Sequence, residues 1–459
     1  MPIATINPAT GETEATYDAH DDAEVDARIG EAADAFRALA NTDFTARGEW
    51  MHRAADLLDA EVDELALVLT TEMGKPLAQA AAEVRKSANA MRYYADHAED
   101  MLAGRALDDP SVVGAGAAYT RYEPLGVVLA VMPWNYPIWQ VIRFAAPALM
   151  AGNTVLLKHA SNVPQSALYL GSLFSRAGFP VGALHTLLIP AARVEAVLRD
   201  RRVVAATLTG SEPAGRSLAA IAGSEVKHVV LELGGSDPFI VMPSADLDEA
   251  VRTAVTSRTS NNGQACINAK RFIVHEDVHD AFVERFTAAM AALRVGDPLD
   301  ESTDIGPLAT ASGRDELAGL VDDAVALGAV AATGGTAGDG PGWFYPPTVL
   351  TGVDTGMRLY REEAFGPVAT VFTARDADDA LRIANDTTFG LSSAVWTRDE
   401  AEQERFIRGL DAGAVFVNGM SISYPELPFG GVKDSGIGRE LSAEGIREFV
   451  NLKSVWRGR

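Results

Sequence analysis

From Gly126 onward the chain sets short apolar runs between helix-like stretches. "GVVLAVMP" is followed by "PIWQVIRFAAPALMAG", "NTVLLKHA" by a helical stretch near Pro164–Ala177, and "VVAATLTG" by "SEPAGRSLAAIAG". Short apolar runs with no polar alternation suit strands buried on both faces, and strands joined through helices build a parallel sheet. Crossovers of one hand then gather the residues just past each strand along one edge. Ligands of open α/β sheets bind at that edge. Here it is made of Pro133–Asn135, Lys158–Ser161 and Gly210–Glu212.

After "HVVLELGGSDPFIV" the alternation resumes. Strands are expected at Phe272–His275, Ala369–Thr373, Ser393–Trp396 and Ala414–Asn418, which makes a second α/β unit. Residues 21–102 read as helices, because Val25, Ile29, Ala32 and Phe36 recur at helical spacing and Asp21 or Asp22 can cap. Residues 114–124 read as extended, and "GIREFVNLKSVW" as a helix turning into a terminal strand. A chain of 459 residues leaves room for two to three domains.

The formal net charge of −24 argues against nucleic acid and anionic membrane surfaces as partners. Only seven of the 39 basic residues are lysine. That balance suits a protein kept soluble at high salt, or an ordinary acidic protein. "MPIATINPATGE" has no basic region followed by an apolar run, so no signal peptide is expected. The longest apolar candidate for a membrane span, "GVVLAVMPWNYPIW", is broken by Pro133 and Pro137. A cytoplasmic location is the expectation.

Cys266 is the only cysteine, so it has no internal disulfide partner. It follows "NNGQ", polar and glycine-bearing, which predicts an exposed, reactive thiol in a loop. A thiolate attacks carbonyl carbon once its proton is removed. Glu232 in "LELGGSDP" is an acid inside an apolar strand, where a raised pKa suits a general base near neutrality. Asn135 in "PWNYP" follows a buried strand, and its amide can donate to a developing oxyanion. Lys158 stands at a strand end, and Ser211 opens a helix whose free N–H groups favour phosphate. Gly210 to Gly215 does not have the G-x-G-x-x-G spacing.

Together "PWNYP", "LELGGSDP", "GQAC", "EEAFGPV", "NDTTFGLSS" and "PFGGVKDSGIGRE" resemble the aldehyde dehydrogenase superfamily in order and spacing, across essentially the whole chain. "VMPWN", "LLKHA" and "LELGGSDPFIV" make it most similar to the compact bacterial succinate-semialdehyde dehydrogenases. The resemblance implies two parallel-sheet, Rossmann-like domains plus a small β oligomerisation domain. The cofactor-binding domain is expected at 1–111 and 126–232, and the catalytic domain at 233–430. The oligomerisation hairpin and tail are expected at 112–125 and 431–459.

The resemblance also implies roles. Cys266 is the nucleophile that forms a thiohemiacetal and then a thioester, Asn135 holds the oxyanion, and Glu232 activates the hydrolytic water. The cofactor set is Met132, Pro133, Trp134, Lys158, Ser161, Gly210, Ser211, Gly215, Leu233, Glu363 and Phe365. Lys158 and Glu363 are assigned to the two riboses, and Phe365 to the side of the nicotinamide. NAD or NADP is the expected cofactor. Ser161 replaces a glutamate that many NAD-strict relatives carry, so NADP is accepted.

No metal is expected. Arg143 is expected to clamp a substrate carboxylate at the mouth of the aldehyde tunnel. Two departures stand out: position 268 is Asn where many relatives have a second cysteine, and position 260 is Ser where some succinate-semialdehyde enzymes have an arginine. The expected activity is NAD(P)-dependent oxidation of succinate semialdehyde by a homodimer or homotetramer. The alternatives are another small semialdehyde or aliphatic aldehyde, or a non-catalytic nucleotide-binding relative.

Overall fold

A hairpin opens the computed structural model, which describes residues 3–338 and 340–459: β1 (Ile3–Ile6) pairs with β2 (Thr13–Tyr17). Four helices follow, α1 (Asp22–Leu39), α2 (Phe44–Ala60), α3 (Val62–Met73) and α4 (Leu77–Met101). Asp21 caps α1 in a capping box with Glu24. The alternating region then runs β3 (Ala117–Pro124), β4 (Val127–Met132), α5 (Trp139–Ala151), β5 (Thr154–His159), α6 (Pro164–Ala177), β6 (Leu184–Thr186), α7 (Val194–Arg199), β7 (Val203–Thr209), α8 (Glu212–Ser224) and β8 (His228–Glu232).

The second alternation holds β9 (Asp237–Val241), α9 (Leu247–Thr259), β10 (Ala269–His275), β11 (Val330–Thr333), β12 (Thr348–Thr351), β13 (Val368–Ala374), β14 (Ala394–Trp396) and β15 (Phe416–Val417). The chain ends with β16 (Gly436–Ile437) and β17 (Val450–Arg457).

Two large sheets result. The first has the order β16-β8-β7-β4-β5-β6, and the second β11-β12-β13-β10-β9-β14-β15. Strands β4 to β8 of the first sheet are parallel, with Met132 opposite His159 and Thr209 opposite Glu232. The register therefore brings Met132–Asn135, Lys158–Ser161, Gly210–Ser211 and Glu232–Leu233 to one edge. A third, two-stranded ribbon pairs β3 with β17 over eight residues. β16 returns from the far end of the chain to pair antiparallel with β8 at Glu232. The segment after residue 431 thus adds a strand to the first sheet before it forms the ribbon.

Helix α5 is buried along its whole length, between the first sheet and the α2–α4 layer. It has no capping side chain of its own. Glu83 of α4 supplies the cap, accepting from the N–H groups of Ile138 (2.8 Å) and Trp139 (3.0 Å). A carboxylate suits that place because the helix dipole is positive there. Glu83 is itself buried and paired with Lys75. This arrangement fixes the "PWNYP" turn that precedes α5.

Candidate active site

Cys266 lies in the loop between α9 and β10. The loop is not the exposed polar segment that its composition predicts: Asn261, Asn262, Gly263 and Gln264 are all buried. Their polar groups tie the loop down from within. Asn262 Nδ2 donates to the carbonyls of Gly74 (2.8 Å) and Pro307 (2.9 Å), while its Oδ1 accepts from Gly306 N–H (2.8 Å). Gln264 Oε1 accepts from Ala309 N–H at 3.0 Å. Asn268, at the place of the missing second cysteine, donates to the Ser260 carbonyl at 2.8 Å. Asn261, Asn262 and Gly263 all take left-handed φ values, 57°, 56° and 75°. Two non-glycine residues in that region store strain that only the surrounding bonds can hold.

Lys270 of β10 grips the other end, donating to the carbonyls of Ala265 (3.0 Å) and Cys266 (2.6 Å) and pairing with Glu363 at 2.9 Å. Gly235 packs beneath, where a Cβ would come within 2.8 Å of the Cys266 carbonyl oxygen. Asn135 Nδ2 donates to the Gln264 carbonyl at 3.1 Å, two residues from the thiol. One amide hydrogen of Asn135 remains free of that bond. Among the described residues neither Cys266 Sγ nor the Cys266 backbone N–H has a hydrogen-bond partner. Burial pushes the thiol up to about 12, partly opposed by the positive charges of Arg143 and Lys270.

Glu232 ends β8 with both carboxyl oxygens buried and without a hydrogen bond. It rests against Gly430, and a Cβ there would lie 2.7 Å from Glu232 Oε1. Desolvation, then repulsion from Glu440, raise its pKa well above the usual carboxylate range, while Arg143 and Arg439 act the other way. The expected raised pKa is present. A hydrogen bond to Cys266 is not.

Arg143 differs from its expectation. It is 2% exposed, ion-paired with Glu440, donates to Thr209 Oγ1 at 3.4 Å and lies 4.5 Å over the Phe429 ring. Its charge is committed to an internal carboxylate, so the idea of a free clamp at a tunnel mouth is corrected. An arginine between apolar helix neighbours signalled a buried partner, and that partner lay 297 positions away in "GIGRE", beyond the reach of local pattern.

At the sheet edge, Lys158 is largely buried and has no carboxylate partner among the described residues. Desolvation alone accounts for its lowered pKa. Ser161 follows on the same connection. Ser211 caps α8 without using its side chain and Pro213 has no N–H, so the first-turn N–H groups of Glu212 and Ala214 are the open ones. Gly215 packs on Leu233, where a Cβ would fall 2.6 Å from its side chain. Trp134 meets Phe365 edge to face at 5.7 Å, and Glu363 abuts Gly234. An uncompensated cation, an open helix terminus and an aromatic pair along one edge fit an anionic dinucleotide. Lys270, Glu440 and the loop asparagines were not singled out from the sequence. Lys270, one of only seven lysines and two residues before the expected strand at Phe272, was the available signal.

The model of the Aldehyde dehydrogenase family matches residues 1–455. The chain belongs to that family. It is 64% identical over 456 residues, 99% of this chain and 100% of the relative, to "Succinate-semialdehyde dehydrogenase [NADP(+)] 1" of Mycobacterium tuberculosis. Among solved structures, Gox0499 superposes with a TM-score of 0.97 at 41% identity, covering 100% of both chains. The succinic semialdehyde dehydrogenase of Streptococcus pyogenes, solved with NADP+, gives 0.96 at 35% identity, covering 99% of this chain and 100% of that one. The family and the α/β fold expected from the six motifs are borne out. No helix among the described residues is long and apolar enough to cross a membrane.

Proposed function

We propose that this aldehyde dehydrogenase oxidises succinate semialdehyde to succinate with NADP. The observation that carries the reading is 64% identity along the full chain to a relative named for that substrate and cofactor, with Cys266, Glu232 and Asn135 all present. Cys266 Sγ bonds to the aldehyde carbon. The oxygen that becomes negative is met by the Cys266 backbone N–H and the Asn135 amide. When bound, the nicotinamide supplies the acceptor for the hydride leaving that carbon, and the product on Cys266 is a thioester. Glu232 takes a proton from the water that hydrolyses it, which frees the thiol and the carboxylic acid. Desolvation holds the half-buried thiol above its usual pKa, so its proton passes to a base as Sγ bonds to carbon, and Glu232, reached through a water, is the base this site supplies. Lys158, Ser161, the α8 terminus, Met132–Trp134, Gly210, Gly215, Leu233, Glu363 and Phe365 are the residues that would hold the cofactor.

Lys158 and Ser161 favour NADP, since a buried cation without a carboxylate neighbour accepts a 2′-phosphate. The domains follow the division expected from the family, except that the segment after residue 431 also gives β16 to the first sheet, and the β3–β17 ribbon docks a second copy. Leu452 and Trp456 project from one face of that ribbon and are 54% and 59% exposed. A two-stranded ribbon with an uncovered apolar face gains by being covered.

The test is reduced-cofactor absorbance with succinate semialdehyde against both cofactors, on the native chain and on Cys266→Ala. Turnover with NADP that vanishes in Cys266→Ala is expected. Steady turnover by the variant would sink the covalent route, and no turnover of any aldehyde by the native chain would leave a nucleotide-binding relative.

A further inference from the structure

With Arg143 consumed by Glu440, the substrate reading above lacks a receptor for the distal carboxylate. The chain holds another cation near the site. Lys86 lies on α4, three residues after Glu83, on the side that packs against α5. Its Nζ sits 4.2 Å from the centroid of the Trp139 ring and donates to Ser423 Oγ at 2.8 Å. Ser423 is itself buried, at 3% exposure. It lines a cavity of about 350 Å³ together with Phe429, Gly430 and Ile267, the residue that follows Cys266.

The ammonium is therefore one hydrogen bond behind the lining of a space that reaches the catalytic loop. An ammonium carries three donors, and among the described residues Ser423 takes one of them and no other acceptor is present. No carboxylate pairs with it among the described residues, unlike Lys75 and Lys270, which have Glu83 and Glu363. A half-buried cation with unspent donors and no counter-ion gains when a ligand supplies the anion.

We propose that Lys86, seated on Trp139 and steadied by Ser423, is the specificity-determining residue that receives the distal carboxylate of the semialdehyde. The proposal rests on the semialdehyde reading above and names the side chain that would enforce it. Burial and the nearby Arg143 charge lower the Lys86 pKa to about 8, while Glu83 on its own helix and a thiolate at Cys266 raise it. The ammonium is thus the predominant form at neutral pH in the free protein and is lost above about pH 8.

The test compares kcat/KM for succinate semialdehyde with that for butanal, an uncharged aldehyde of the same length. One charge-assisted contact corresponds to about ten- to a hundredfold. The ratio of the two values should fall by that factor in Lys86→Met and recover in Lys86→Arg. In the unmodified protein the ratio should decline above about pH 8, where effects on Cys266 and Glu232 cancel between substrates, and in Lys86→Arg it should stay level. An unchanged ratio in Lys86→Met, or an equal fall for both aldehydes, overturns the role of Lys86. A native ratio near one would instead remove the semialdehyde reading, so the two failures are distinguishable. The pH arm needs no substitution and so survives a variant that folds poorly.

Discussion

At the scale of single residues the site is a set of charges whose surroundings work against ionisation. Glu232 and Glu440 share one buried arginine, and both carboxyls are pushed upward by desolvation. Glu440→Gln removes the like charge beside Glu232 and frees Arg143 to face it. Both changes favour the Glu232 carboxylate, so its pKa should fall. A base with a lower pKa is ready at lower pH, and the acid limb of the kcat profile should move to lower pH. An acid limb unmoved by Glu440→Gln would mean that another group governs it. Ser161 offers the second residue-scale prediction. A glutamate placed there would face the 2′-phosphate, and two like charges 4 Å apart repel by roughly 4 kcal/mol at an effective dielectric near 20. Ser161→Glu should raise KM for NADP at least about tenfold and leave NAD little changed. Equal effects on both cofactors would show that Ser161 does not face the 2′ position.

At the scale of elements the thiol loop shows what sequence could and could not reveal. The lone Cys266 and its glycine were visible, and so was the family motif around them. The inference of an exposed loop failed because the polar residues of "NNGQ" bond inward to Gly74, Gly306, Pro307 and Ala309, which are distant in the chain. Strands β4, β5 and β7 and helices α5 and α6 were legible because their period or their unbroken apolar character is local. The short β6, the edge strand β11, its four-residue neighbour β12 and the opening hairpin were not, since runs this short carry too little pattern to stand out. Gly263 tests the loop directly. Its φ of 75° and a Cβ position 2.3 Å from the Gly366 carbonyl carbon leave an added methyl nowhere to go. Gly263→Ala should shift the catalytic loop, cut kcat by at least about a hundredfold through misplacement of the thiol, and lower Tm by several degrees. A variant with native kcat and Tm would show that the loop is more compliant than its bonds imply.

At the scale of the whole molecule the two-sheet plan followed from the alternation of strands and helices, and the ribbon from the extended segments at 114–124 and the tail. What the pattern did not carry is that β16 inserts beside β8 on the way, which ties residues 436–437 to the strand ending in Glu232. The same terminal segment therefore shapes the site and ends in the surface proposed for self-association. On one face of β17, Leu452 and Trp456 stand opposite Tyr122 and Ala118 of β3. Both are more than half exposed in the single chain, and the chain carries a formal charge of −24 that opposes any contact not driven by apolar burial. Covering that face with a second copy would remove apolar area worth roughly 25 cal/mol per Å². Leu452→Glu with Trp456→Glu removes the apolar surface and adds two negative charges at the same place. The variant should run as a smaller species in light scattering, with near-native circular dichroism because neither side chain belongs to a buried core. If its mass equals that of the unsubstituted protein, the ribbon is not where copies of this chain meet.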